Sequence, residues 1–154
     1  MQLKTKHFGD VEYALEDIIF FEEGLPGFRD DTQFVLLADN PDDLFHWLQS
    51  VEKEDLAFVL MDVKQIKADY QPRIDPEVIE ALEDGNPNAE LMCYNIAIVP
   101  EDLQQMRVNL KAPIIINKAS RKGKQVIASN DEYSIRHYIF QEIQALPNSI
   151  GIGR

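Results

Sequence analysis

The apolar residues of this chain come in short runs, and their length constrains the fold more than any other feature. Gln33 to Ala38, Leu56 to Val63 and Leu91 to Val99 are of strand length and end at turn-forming residues. Asp17 to Glu22 is β-branched and aromatic with an acid at each end. Phe45 to Val51 partly alternates, and Ala112–Asn117 and Gln125–Ala128 are joined by a charged loop. Leu3–Phe8 reads as a short, charged edge strand, with Gly9-Asp10 as a turn before Val11–Tyr13. Several short strands with turns between them predict a mostly β fold: a small antiparallel, β-barrel-like single domain with one or two short helices. The clearest helical signal is Asp75-Pro76-Glu77 before Val78, Ile79 and Leu82. Asp75 caps free N–H groups, Pro76 suits the first helical position and Gly85 ends the helix. Pro100–Leu103 suggests a single turn. Glu132–Leu146 carries both periods, because Ile139, Ile143 and Leu146 have helical spacing while Tyr133, Ile135 and His137 suit a strand. Ser149–Arg154 reads as a flexible tail.

Composition excludes whole classes of function. With 15 Lys and Arg against 27 Asp and Glu, the net charge is −12. That disfavours direct nucleic-acid binding and an anionic membrane surface, both of which need clustered bases. The charge is polarised along the chain. Residues 1–106 hold 24 acids and 7 bases, residues 107–154 hold 3 acids and 8 bases, and residues 10–55 hold 14 acids against Arg29 and Lys53. Kept apart in space, these segments make an acidic face that steers a basic partner; mixed by folding, they only keep the protein soluble. No run approaches the ~18 apolar residues of a membrane span, and the charged N-terminus lacks the apolar stretch of a secretion signal. The expected location is cytoplasmic, which suits a single cysteine.

Catalytic and metal chemistry have no clear seat. Gly24-Leu25-Pro26-Gly27 lacks the spacing and the Lys-Ser/Thr of a phosphate loop. His7, His46 and His137 stand singly, without the spacing of zinc ligands. Cys93 lies inside an apolar run, where a structural thiol is expected rather than a nucleophile. The paired acids Glu22-Glu23, Asp30-Asp31 and Asp42-Asp43 sit in polar, turn-like contexts that favour solvated carboxylates. No enzyme, cofactor, metal or small-molecule ligand is expected. What remains is a rigid turn, Gly24-Leu25-Pro26-Gly27-Phe28, bearing large apolar residues where small polar ones are usual. Leu25 and Phe28 either fold into the core or form a docking surface. Trp47, the only tryptophan, carries the same two readings. Lys118 to Lys124 places four positive charges in seven residues, as a solvated hairpin loop or a partner contact.

Taken together, three stretches resemble the flagellar assembly factor family FliW. They are Ile19-Phe20-Phe21-Glu22-Glu23-Gly24-Leu25-Pro26-Gly27-Phe28; Trp47-Leu48-Gln49-Ser50-Val51 with Leu56-Ala57-Phe58; and Asn109 to Asn117 with Gln125-Val126. The resemblance covers roughly residues 3–138. It divides the chain into a FliW-like β domain, 1–138, and a C-terminal extension, 139–154, of uncertain structure. It implies a non-enzymatic bacterial regulator that binds the translational repressor CsrA and flagellin. Flagellin occupies the factor until it is exported; the freed factor then binds CsrA and relieves repression of the flagellin message. The implied contact residues are Glu22, Glu23, Asp30 and Asp31 for the acidic field, with Leu25, Phe28 and Trp47 for the apolar part. The alternatives are a flagellin chaperone without a CsrA role and a small acidic ligand-binding or enzymatic barrel.

Overall fold

A computed structural model describes residues 1–146. The tail expected over 149–154 lies outside the described residues. Among the described residues, nine strands form one antiparallel sheet and two more form a separate N-terminal hairpin. The hairpin pairs β1 (Gln2–Thr5) with β2 (Gly9–Glu12). The sheet runs in the order β10 (Gly123–Gln125), β9 (Ile114–Asn117), β7 (Leu91–Ile98), β6 (Ala57–Met61), β5 (Phe45–Ser50), β4 (Gln33–Leu37), β3 (Ile19–Phe20). Strand β8 (Arg107–Val108) joins the end of β7 and carries β11 (His137–Tyr138).

The sheet curls until its ends touch, but it does not close into a barrel. A single parallel bridge, Phe20 to Lys122, joins β3 to the start of β10, with the Phe20 N–H donating to the Arg121 carbonyl at 2.8 Å. Closure stops there because β3 lasts two residues and the chain turns back, with Gly24 N–H bonded to the Phe21 carbonyl. The barrel-like expectation therefore holds only loosely. The contact at the seam is close: a Cβ on Gly123 would stand 2.7 Å from Cζ of Phe21. Only glycine lets the two ends approach this far.

Ile19, Phe21, Phe34, Leu48, Leu60, Ile114 and Ile116 fill the inside of the curl. The register follows the alternation in the sequence: Leu36 faces Leu48, and Leu48 faces Phe58. On the opposite face, Val35, Leu37 and Val51 receive Leu3, Tyr13 and Ile18 from the N-terminal segment. A second core gathers Met61, Tyr70, Met106, Val108, Leu110 and Tyr133.

Helix α1 (Pro76–Glu83) forms where its cap predicts, with Asp75 Oδ1 accepting from Glu77 N–H at 2.9 Å. Its end differs in detail. Asp84 takes the left-handed position (φ 54°) one residue before Gly85, and Asn117 Nδ2 donates to the Leu82 carbonyl at 2.9 Å. The ambiguous stretch near the C-terminus contains both elements: strand β11, then α2 (Phe140–Gln144). Ile139 and Ile143 are buried in the second core, so residues 139–146 pack with the β domain.

Gly123→Ala should push Phe21 off its position at the seam and destabilise the protein by about 1–3 kcal/mol. Thermal or urea melting reads this directly. A melting point equal to wild type would mean that the seam yields freely.

Candidate docking surface

The motif turn is built from its backbone outward. Leu25-Pro26-Gly27-Phe28 is a β-turn closed by the Phe28 N–H on the Leu25 carbonyl at 2.7 Å. Pro26 sets the first corner, and Gly27 (φ 84°) supplies the positive φ of a type II turn. The turn divides its two apolar residues. Leu25 is 1% exposed and belongs to the core, which removes it from the surface. Phe28 is 38% exposed and lies edge-on over Phe58, ring centroids 5.4 Å apart.

A second turn, between β5 and β6, is tied beside the first. Gln49 is buried, and its Nε2 points at the carbonyls of Lys53 (3.2 Å) and Glu54 (3.0 Å). Ser50 Oγ accepts from the N–H groups of Glu52 and Lys53. Lys53 Nζ then meets Asp31 Oδ2 at 3.0 Å. Asp31 is 5% exposed, so it is an internal clamp between the turns and not part of the outer field. The clamp ties the turn that exposes Glu22, Glu23, Phe28, Arg29 and Asp30 to the turn that exposes Glu52, Lys53, Glu54 and Asp55.

The other expected site residues fall elsewhere. Trp47 lies on the opposite face of the sheet from Phe28, half-buried under His7 and Phe8 of the N-terminal hairpin. It does not join the acidic turns. The acids of residues 10–55 do not form one field either, because Asp39, Asp42 and Asp43 occupy the turn between β4 and β5, at the far end of those strands. The basic loop is largely neutralised. Lys118 pairs with Glu90, Lys122 with Asp84 and Lys124 with Glu23, while Arg121 Nη2 donates to the Asp17 carbonyl. Folding thus mixes part of the charge that the sequence separates.

Beside the motif turn, a groove of about 1490 Å³ opens between Glu22–Gly27, α1 and β10. Its α1 wall, including Val78, and the half-exposed Phe20 escaped the sequence reading. Only the Phe20-Phe21 alternation hinted that one ring points out.

The titratable groups of the interior suit a structural role. Burial pushes the Cys93 thiol up to about 11, against a smaller opposing pull from Lys64, which keeps it protonated near neutrality. His46 is 3% exposed, donates from Nε2 to the Asp43 carbonyl at 3.0 Å and stacks on Tyr94. Burial lowers its pKa below the ordinary 6.5, partly countered by Asp43 and Asp62. Among the described residues, no three His, Cys, Asp or Glu side chains are grouped to hold a metal ion.

Comparison with known proteins places this geometry. The family model described as FliW protein matches residues 2–139. The flagellar assembly factor FliW of Thermoanaerobacter pseudethanolicus is 46% identical over 145 residues, covering 94% of this chain and 96% of that protein. That of Clostridium botulinum (strain Okra / Type B1) is 35% identical over 142 residues, covering 92% and 99%. A crystal structure of the flagellar assembly factor FliW superposes with a TM-score of 0.82 at 37% identity, covering 90% of this chain and 96% of that one.

Two expectations separate fold from surface. Leu25→Ala should cost ~2–5 kcal/mol in a denaturant titration, as truncation of a buried leucine does. Phe28→Ala should cost well under half as much, and equal losses would place both residues in the core. The second concerns pH. The unfolded chain binds a proton at His46 before the folded one does. Stability is therefore full above pH 6.5 and falls as pH drops below it, by at most about 1.4 kcal/mol per pH unit for one proton. His46→Gln should remove that slope when melting is followed between about pH 5 and pH 7.

Proposed function

The chain belongs to the FliW family of flagellar assembly factors, which are not enzymes, and from that premise we propose that it is a cytoplasmic partner switch binding CsrA and flagellin. While flagellin accumulates, it occupies the factor. Once flagellin is exported, the factor binds CsrA and relieves repression of flagellin synthesis.

One observation carries the CsrA half of this reading: two clamped turns that expose Glu22, Glu23, Asp30, Glu52, Glu54 and Asp55 against Arg29 and Lys53, with the partly exposed ring of Phe28 on the first of them. A protein that binds an RNA polyanion presents basic surface. An excess of acids attracts such a surface from a distance, and an aromatic ring on the same turns gives the short-range contact that an encounter needs to persist. Once docked, a protein of net charge −12 repels RNA phosphate even where it does not cover the RNA site. The contact residues of this reading are Glu22, Glu23, Asp30 and Phe28. Leu25 and Asp31 act beneath them, by holding the turns in place.

The test is a calorimetric titration with CsrA of the same organism at low and moderate salt, with and without flagellin. Wild-type protein should bind, flagellin should abolish that binding, and affinity should fall as salt rises. Reversing Glu22, Glu23 and Asp30 to Lys should weaken binding at least tenfold at low salt and less at higher salt, with melting close to wild type. Affinity unchanged at both salts would discard the acidic turns. Flagellin binding without CsrA binding would leave a flagellin chaperone.

A further inference from the structure

Strand β10 and the segment that follows it to Ser129 have an edge that is paired at both ends and free in the middle. Its residues alternate in direction. The Lys122 carbonyl accepts from Asn117 N–H, Val126 N–H donates to the Pro113 carbonyl, and Ala128 N–H donates to the Lys111 carbonyl, so the even-numbered positions serve β9 and the segment before it. The odd-numbered positions face away. At one end the Arg121 carbonyl takes the Phe20 N–H at 2.8 Å; at the other the Ser129 N–H donates to the Arg73 carbonyl at 2.9 Å. Between them, the main-chain groups of Gln125 and Ile127 have no hydrogen-bond partner among the described residues. From Gly123 to Ser129 the edge runs ~20 Å, room for a strand of about five residues.

Natural sheets guard free edges with charge, proline or a bulge. This one carries Ile127 at 75% exposure in its free stretch, and the nearby Lys124 amine is turned to Glu23. The Gly123–Gln125 end of the edge opens into the groove beside the motif turn, while Ile127 and Ser129 line a smaller one with Asp75 and with Arg73, whose guanidinium is turned to Glu132. After the ion pairs of Lys122 and Lys124 are set aside, the charges left on the groove are Glu22, Asp75 and Glu77 against Arg29. An unguarded edge asks for a strand, the apolar walls of Phe20 and Val78 ask for apolar side chains, and the residual negative charge asks for a basic one.

We propose that the Gly123–Ser129 edge takes up an extended basic segment of CsrA as an added strand, completing the sheet at its open seam. This rests on the reading of the chain as a CsrA-binding factor and assigns that reading a binding mode. Main-chain hydrogen bonds at Gln125 and Ile127 provide the attachment, and the acids of the groove select positive charge.

Residue-resolved amide exchange with and without saturating CsrA tests it, beside calorimetry on the same samples. The Gln125 and Ile127 amides should slow at least tenfold on binding, while Lys124 and Val126, already turned to β9, change less. Ile127→Pro deletes an edge N–H without touching the β9 ladder, and should weaken CsrA binding at least tenfold. Ile127→Thr keeps the N–H and should bind as wild type. If Ile127→Pro fails to fold, the exchange data decide. CsrA binding with unchanged exchange at Gln125 and Ile127 overturns the edge and leaves the functional reading intact. Absence of CsrA binding overturns both. Slowing that needs only a higher protein concentration gives the edge to a second copy. Protection in the free chain that disappears on deleting residues 147–154 gives it to the chain's own terminus. Slowing by flagellin but not by CsrA removes the basic partner. Each of these last three also overturns the proposal.

Discussion

The close approach of Gly123 to Phe21 is the constraint on which the rest of the molecule depends. A curled sheet must bring strands from opposite ends of the order side by side, and here that happens across a gap too narrow for a methyl group. Because β3 is short and turns away at once, the meeting is a point and not a ladder. Three consequences follow. The inner core is sealed at that point by Ile19 and Phe21. The groove opens where the strands part. The edge beyond the bridge is left unpaired until Ser129 meets Arg73. A longer β3 would close the barrel and remove both groove and edge.

Amide and hydroxyl side chains make the second level of organisation. Asn117 bonds the end of α1 through Nδ2 and accepts the N–H groups of Ala119 and Ser120 through Oδ1, so one residue fixes a helix end and a hairpin turn. Asn109 accepts from Lys111 and Ala112 N–H, which breaks the run between β8 and β9 at a defined place. Asn95, fully buried, bonds the Tyr70 hydroxyl and the Asn109 carbonyl, tying the long segment before α1 to the sheet. Gln49 and Ser50 do the same for the turn after β5. Buried groups of this kind are costly to leave unpaired, so each of these side chains couples the elements it bonds. Asn117, Asn109, Gln49 and Ser50 all lie in the stretches that carry the family resemblance, and the turns they fix lie at the surface.

Legibility in the sequence followed the range of the interaction. Local signals were readable: the strand runs, the Asp75-Pro76 cap, the turn at Gly24–Phe28. Each depends on a few neighbouring residues and its own backbone. What depends on register or on distant packing was not. Nothing local distinguishes Leu25 from Phe28, since both flank the same turn; only the core inside the curl, assembled from distant strands, decides that Leu25 is the one covered. Trp47 fell on the hairpin side because strand alternation fixes that successive residues point oppositely, without fixing which face receives the hairpin. Asp31 looked like its neighbour Asp30 until Lys53, 22 residues on, reached it. The charge blocks misled for the same reason. A block in sequence becomes a field in space only if its residues reach one end of the strands, and those of residues 10–55 divide between two.

The division of charge bears on how one small domain would serve the two partners proposed for it. The Glu22–Glu23 corner belongs at once to the acidic turn that carries Phe28 and to the wall of the groove along β10. The two surfaces therefore meet at a corner without coinciding. A protein seated on either one alters the charge and the space offered at the other, because Glu23 is held by Lys124 of β10 and Glu22 stands beside it. On the proposed reading CsrA engages both surfaces, so flagellin seated on either one would exclude it without covering its whole footprint and without a large movement. Competition at one corner is enough, and the rigidity of that corner, set by Gly24, Pro26 and the Asp31–Lys53 clamp, is what would make the exclusion sharp.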